Sequence, residues 1–169
     1  MPNALKIPND LLEIQKHVYE PHGLQCSHVE VHAESQEYGA CSFELNSLRV
    51  EFRVANITPT KIGQFVTFWK RSVAGPIAPY DAADPFDLLV VAVRAGSRFG
   101  QFVFPKAVLL KHGVLSEQHV GGKRAVRVYP LWDVPESMQA CKTQAWQLQY
   151  FCEITPSLSS AQIKKIYRV

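Results

Sequence analysis

The chain has 169 residues, 47% hydrophobic and 20% charged, with a formal net charge of +3 at neutral pH. That length suits one domain with its own core, and that apolar content excludes disorder along the whole chain. The charge is unevenly spread: residues 1–41 carry two Lys/Arg against six Asp/Glu, a balance of −4, whereas residues 88–131 carry seven against one, a balance of +6.

A cationic block of that kind points to an anionic partner. The most apolar run, Phe86 to Val93, is too short to span a bilayer, and no basic stretch followed by an apolar one marks an export signal. The expectation is one domain over 1–169, cytoplasmic, with no membrane partner. Cys26, Cys41, Cys141 and Cys152 are expected as free, buried thiols.

Along the chain, Asn9 caps a first helix whose Leu11, Ile14 and Val18 repeat at helical spacing, and Pro21-His22-Gly23 stops it. Residues 28–32 alternate as a half-buried strand. Ser42–Leu45 and Leu48–Ala55 read as a hairpin about Asn46-Ser47. An aromatic strand at Phe65–Lys70 is followed by a loop over 72–85 with three prolines. Phe86–Val93 is continuously apolar, as in a strand buried on both faces. A turn at 94–98 leads to a strand at Phe99–Phe104, which Pro105 ends. A short helix at 106–112, a strand at 123–129 and a helix over 135–152 follow. That helix would bury Met138, Cys141, Ala145, Leu148 and Cys152, and 159–167 adds a last turn. The fold class is α/β (α+β), a single domain whose mixed central sheet is flanked by helices.

Four groupings carry candidate chemistry. His17, His22, Cys26, His28 and His32 include metal-ligand types, but their spacing matches no zinc module, and a polar outer strand face explains them more simply. Acyl transfer is set aside, because Gly-x-Ser-x-Gly is absent and Cys141 and Cys152 fall on a packing face.

A third grouping resembles a metal-dependent nuclease site. Such enzymes hold a divalent ion between carboxylates on adjacent strands, with a lysine two residues beyond one acid. Asp84 and Asp87 precede one strand and Lys106 follows the next, but Phe104 stands where the acid belongs. Glu51-Phe-Arg53 offers an acid and a cation at the same spacing.

The fourth grouping interleaves cations and aromatics: Lys61, Trp69, Lys70 and Arg71; then Lys123, Arg124, Arg127, Tyr129 and Trp132; then Lys142 to Gln147. Such residues neutralise phosphates and stack on bases.

The runs TPTKIGQFVTFWKR (Thr58–Arg71), GQFVFPK (Gly100–Lys106), GKRAVRVYP (Gly122–Pro130) and QACKTQAWQLQYF (Gln139–Phe151) resemble the MepB family, over roughly residues 38–152. The resemblance implies a fold similar to restriction-endonuclease-like, PD-(D/E)XK, domains. With the acid missing at Phe104, the expected function is nucleic-acid binding on a nuclease-like scaffold without efficient cleavage. DNA or RNA would be held by Lys61, Lys70, Arg71, Lys106, Lys123, Arg124 and Arg127, with Tyr129, Trp69 or Trp132 for stacking, and no cofactor. The alternatives are a Mg²⁺-dependent nuclease using Asp87, Lys106 and Glu51, and an accessory domain holding a small molecule or an acidic protein.

Overall fold

The computed structural model describes residues 5–72 and 75–169; Met1–Ala4 and residues 73–74 of the expected loop lie outside it. Helix α1 (Asn9–Ile14) buries Leu11 and Ile14. It runs on through a π-helical turn at Gln15–Tyr19 and a 3-10 turn at Glu20–His22, until Gly23 takes φ 72°. Then come β1 (Cys26–Val31), β2 (Cys41–Leu45), β3 (Leu48–Val54), β4 (Asn56–Ile57), β5 (Gln64–Thr67), β6 (Trp69–Arg71), β7 (Ile77–Pro79), β8 (Leu88–Ala95), β9 (Arg98–Pro105), α2 (Lys106–Lys111), β10 (Ala125–Val128), α3 (Met138–Gln147), β11 (Phe151–Glu153) and α4 (Ser160–Tyr167).

Six strands form the central sheet in the order β1-β2-β3-β8-β9-β11. β3 and β8 pair in parallel and all other neighbours are antiparallel, so the sheet is mixed, as expected. Strand side chains alternate between faces, which sorts the core into two layers. On one face, Phe43, Val50, Phe52, Val90 and Val103 meet the N-terminal helix and α4. On the other, Leu89, Val91, Phe102 and Phe104 meet Leu109 of α2, Val66 and Val128 of a second, three-stranded sheet, β10-β5-β4, and Phe68 between β5 and β6. β8 is buried along both faces, and each such aliphatic side chain contributes about 1.5–3 kcal/mol.

Several expectations are corrected. The strand read at 65–70 is two strands in different sheets, because β5 pairs with β4 and β10 while β6 pairs with β7 inside the presumed loop. The last long helix stops at Gln147. Phe151–Glu153 leaves it to pair with β9, so Cys152 is buried as a strand residue. The face expected to be buried is outward at its start: Met138 is 75% exposed, and Cys141 is exposed rather than buried. A tertiary pairing has overridden a helical period there. All four cysteines are free; Cys41 and Cys152 are buried and Cys26 is half-buried.

β1 carries a bulge between Ser27 and Glu30, with His28 at φ 55°, yet His28 and Glu30 are exposed while Val29 and Val31 are half-buried, as the alternation predicts. His28 meets Glu44 at 3.2 Å and His32 meets Glu51 at 3.2 Å. No helix among the described residues is long and apolar enough to cross a membrane.

Candidate nucleic-acid interface

Ion pairing decides which cations are free to meet a ligand. Arg94 bridges Asp10 (2.9 Å) and Glu13 (2.8 Å), and Arg98 pairs with Glu153, so two charges of the basic segment are spent inside the molecule. Lys70 pairs with Asp84 at 2.7 Å, and Arg71 with Glu34. Lys106 donates its ammonium to the Asp84 carbonyl and lies over the Phe86 ring. Among the described residues, Lys61, Lys123, Arg124 and Arg127 have no carboxylate partner.

Three of these four line one cleft of about 730 Å³, together with Tyr129, His112 and Trp146. Two glycines shape its walls. Gly63 sits at φ +86°, where a Cβ would lie 2.7 Å from the Tyr129 ring and 3.0 Å from Arg127 Cγ. Gly122, before Lys123, sits at φ +85°, where a Cβ would lie 2.7 Å from both Pro79 and the Ser116 nitrogen. Only glycine combines that backbone with that contact.

Arg127 donates to Thr58 Oγ1 (3.0 Å) and the Gly63 carbonyl (3.2 Å), which anchors the loop bearing Lys61. On the far wall, Gln147 is buried. It accepts from the Tyr129 N–H at 2.9 Å and donates to the Arg127 carbonyl at 3.0 Å, tying α3 to β10. Gln144 likewise donates to the Asp133 carbonyl at 2.8 Å. These two glutamines, grouped by sequence with the phosphate-binding block, hold backbone instead. The His112 ring lies on Trp146 with centroids 3.9 Å apart and planes 5° from parallel. Burial, and after it Lys111, lower the His112 pKa, which favours the neutral ring. Nothing in the local sequence of either residue marks that stack.

The other expected contact residues fall elsewhere. Lys70 and Arg71 line a second cleft, and Arg124 is exposed outside both linings. Trp132 is half-buried against the core, edge-on to Phe151 (5.7 Å) and beneath Arg98, outside the lining of the first cleft.

The nuclease-like set is partly assembled. Asp87 and Lys106 are neighbours across the β8/β9 end, where the Lys106 N–H donates to the Asp87 carbonyl. The Asp87 carboxylate is occupied by the Arg49 N–H at 2.8 Å. Phe104 is 1% exposed and stacks on Phe102. Glu51 is on β3, opposite Leu89 of β8, with its carboxylate turned to His32 and Arg53. No group of three or more His, Cys, Asp or Glu among the described residues could hold a metal ion.

Asp81, which no sequence motif singles out, organises the neighbouring loop. It accepts from the Ser116 hydroxyl (2.7 Å), the His119 N–H (3.0 Å) and the Ala83 N–H (3.0 Å). These donors, the Ala83 N–H foremost, hold its carboxyl well below the usual carboxylate range.

The arrangement is thus a mixed α+β domain with a cationic, aromatic-lined cleft on one layer. Comparison with known proteins names its kin: the MepB-like family matches residues 32–153, and the chain belongs to that family. The crystal structure of MepB is similar at 28% identity, covering 91% of this chain and all of MepB, with a TM-score of 0.76. A bacterial homing endonuclease is a looser likeness: 15% identity, 83% of this chain and 87% of that one, TM-score 0.46. No curated protein matches the chain.

Proposed function

We propose that this protein binds nucleic acid at the Lys61–Lys123–Arg127 cleft without cutting it efficiently. The observation that carries this reading is convergence: Lys61 from one segment and Lys123 and Arg127 from another far along the sequence, three cations without carboxylate partners, line one cleft with Tyr129 and Trp146. Cations left without a carboxylate partner attract phosphates, and aromatic rings beside them accept bases. Glu136 also lines the cleft, so cations outnumber acids there rather than standing alone. Efficient cleavage is disfavoured because the Asp87 carboxylate and the Lys106 ammonium are engaged by backbone groups and Phe104 fills the acid's position.

Fluorescence anisotropy with labelled single- and double-stranded DNA and RNA tests this across a salt series. Affinity falls steeply as salt rises, and Lys61→Ala and Lys123→Ala each lower the salt slope by about 1. Binding that is absent, or indifferent to salt and to both substitutions, rejects the reading. Incubation of the same probes with Mg²⁺ or Mn²⁺ leaves them intact; cleavage abolished by Asp87→Ala would instead establish the nuclease.

A further inference from the structure

The second cleft, of about 470 Å³, is lined by Glu30, His32, Arg53, Trp69, Lys70 and Tyr80 among others. Arg53 is the largest fully buried side chain among the described residues, 2% exposed. A guanidinium brings five N–H donors and a permanent charge, and a buried one is ordinarily held by a carboxylate at two points.

Arg53 has no such hold. Nη1 donates to the Phe52 carbonyl at 2.7 Å and reaches Glu51 Oε2 only at 3.4 Å. That oxygen is shared with His32 Nε2 at 3.2 Å. Nη2 reaches the Tyr80 hydroxyl at 3.3 Å. Nε has no partner among the described residues. The Phe68 ring, 5.3 Å away, supplies one apolar wall. At the rim, Lys70 uses one of its three N–H donors on Asp84, and Glu34 is held by Arg71. A charge withdrawn from water with incomplete pairing is costly, and the missing pairing is what an oxyanion supplies.

We propose that this cleft binds one oxyanionic group, a phosphate or carboxylate of a small ligand, on Arg53, with the N–H donors that Lys70 does not use on Asp84 at the rim. Glu30 and Glu51 oppose dense negative charge, which favours a singly charged group over a polyphosphate. The site is independent of the Lys61–Lys123–Arg127 cleft.

The test is a ¹⁵N–¹H NMR titration of the full chain with inorganic phosphate, with sodium acetate, and with sodium chloride at matched ionic strength. The Arg53 side-chain Nε–H and Trp69 indole resonances shift saturably with phosphate, with acetate, or with both; which arm responds identifies the group. Shifts that are absent in both arms, or no larger than with chloride, overturn the proposal. Arg53→Lys keeps the charge but removes the fork, and abolishes the Trp69 shift. Should that variant not fold, Lys70→Ala at the half-exposed rim serves: binding weakens about fivefold, and unchanged affinity overturns the proposal. Lys123→Ala leaves both shifts in place; losing them there would move the site to the other cleft and overturn it equally.

Discussion

His112 lies flat on Trp146, 3.9 Å between ring centroids, and Trp146 in turn leans on Phe104 at 5.5 Å. The stack joins the residue that closes α2 to the helix across the cleft. Trp146→Ala therefore removes contacts to both neighbours and destabilises the protein by about 2–3 kcal/mol, below the value for a fully buried tryptophan because Trp146 is half-exposed. Urea unfolding measures it.

The same pair makes stability sensitive to mild acid. The folded pKa of His112 is lowered, so the unfolded chain takes up the proton first as pH falls. The contribution of the neutral ring is fully present above the unfolded value of about 6.5 and is lost progressively below it. Urea midpoints fall between pH 8 and pH 5.5, and the fall is smaller in His112→Phe, which keeps the stack without the titration.

The alkaline limit is set on the other side of the sheet. The Tyr167 hydroxyl donates to Gln101 Oε1 at 2.6 Å and meets the Tyr19 hydroxyl at 2.8 Å, all within the core. Burial pushes both phenols far above their ordinary value. The folded state thus keeps protons that the unfolded state loses, so stability declines once pH exceeds about 10. Tyr167→Phe leaves Gln101 and Tyr19 short of a partner and destabilises by about 1–3 kcal/mol, read as a lower thermal midpoint.

Asp81→Ala frees the Ser116 hydroxyl and the His119 N–H together. The expected result is faster amide exchange across residues 116–120, with β8 and β9 unchanged. The carboxyl titrates low in the folded protein, so its contribution to stability is complete above pH of about 4 and is lost progressively as pH falls from there toward the folded value, while the hydrogen bonds themselves persist. Loop exchange that is equally slow in Asp81→Ala would remove Asp81 from this role.

Restoring the acid by Phe104→Glu does not restore a nuclease. Phe104 is fully buried against Phe102, Trp146 and Tyr150, so a carboxylate there is desolvated and a cavity is left around it. The substitution destabilises by about 3–5 kcal/mol, and the folded fraction cleaves no more DNA with Mg²⁺ than the parent. Thermal melts and a cleavage assay measure the two halves of that statement.

The hairpin β2–β3 and the central pair β8–β9 are legible in the sequence, because alternation, apolar runs and turn residues are local signals. β11 is not. Phe151–Glu153 continues a helical spacing, and only the open edge of β9 makes it a strand. The break between Thr67 and Trp69 is hidden for the same reason, since an uninterrupted aromatic run says nothing about changing sheets. Lys61, Lys123, Arg127 and Tyr129, grouped by residue type, line one cleft, whereas Trp132 packs edge-on against Phe151.

Most strand and helix segments, the family resemblance and the place of the basic block along the chain follow from the sequence alone. Which charges in that block remain free is settled by three-dimensional packing. Arg94 is neutralised by Asp10 and Glu13, far from it in the sequence, and Arg98 by Glu153, whereas Lys123 and Arg127 have no carboxylate partner among the described residues. Packing likewise sets Glu51 between His32 and Arg53 through the order β1-β2-β3. Periodicity reports what a residue's near neighbours do; an ion pair across a sheet depends on the path of the whole chain, which no local pattern encodes.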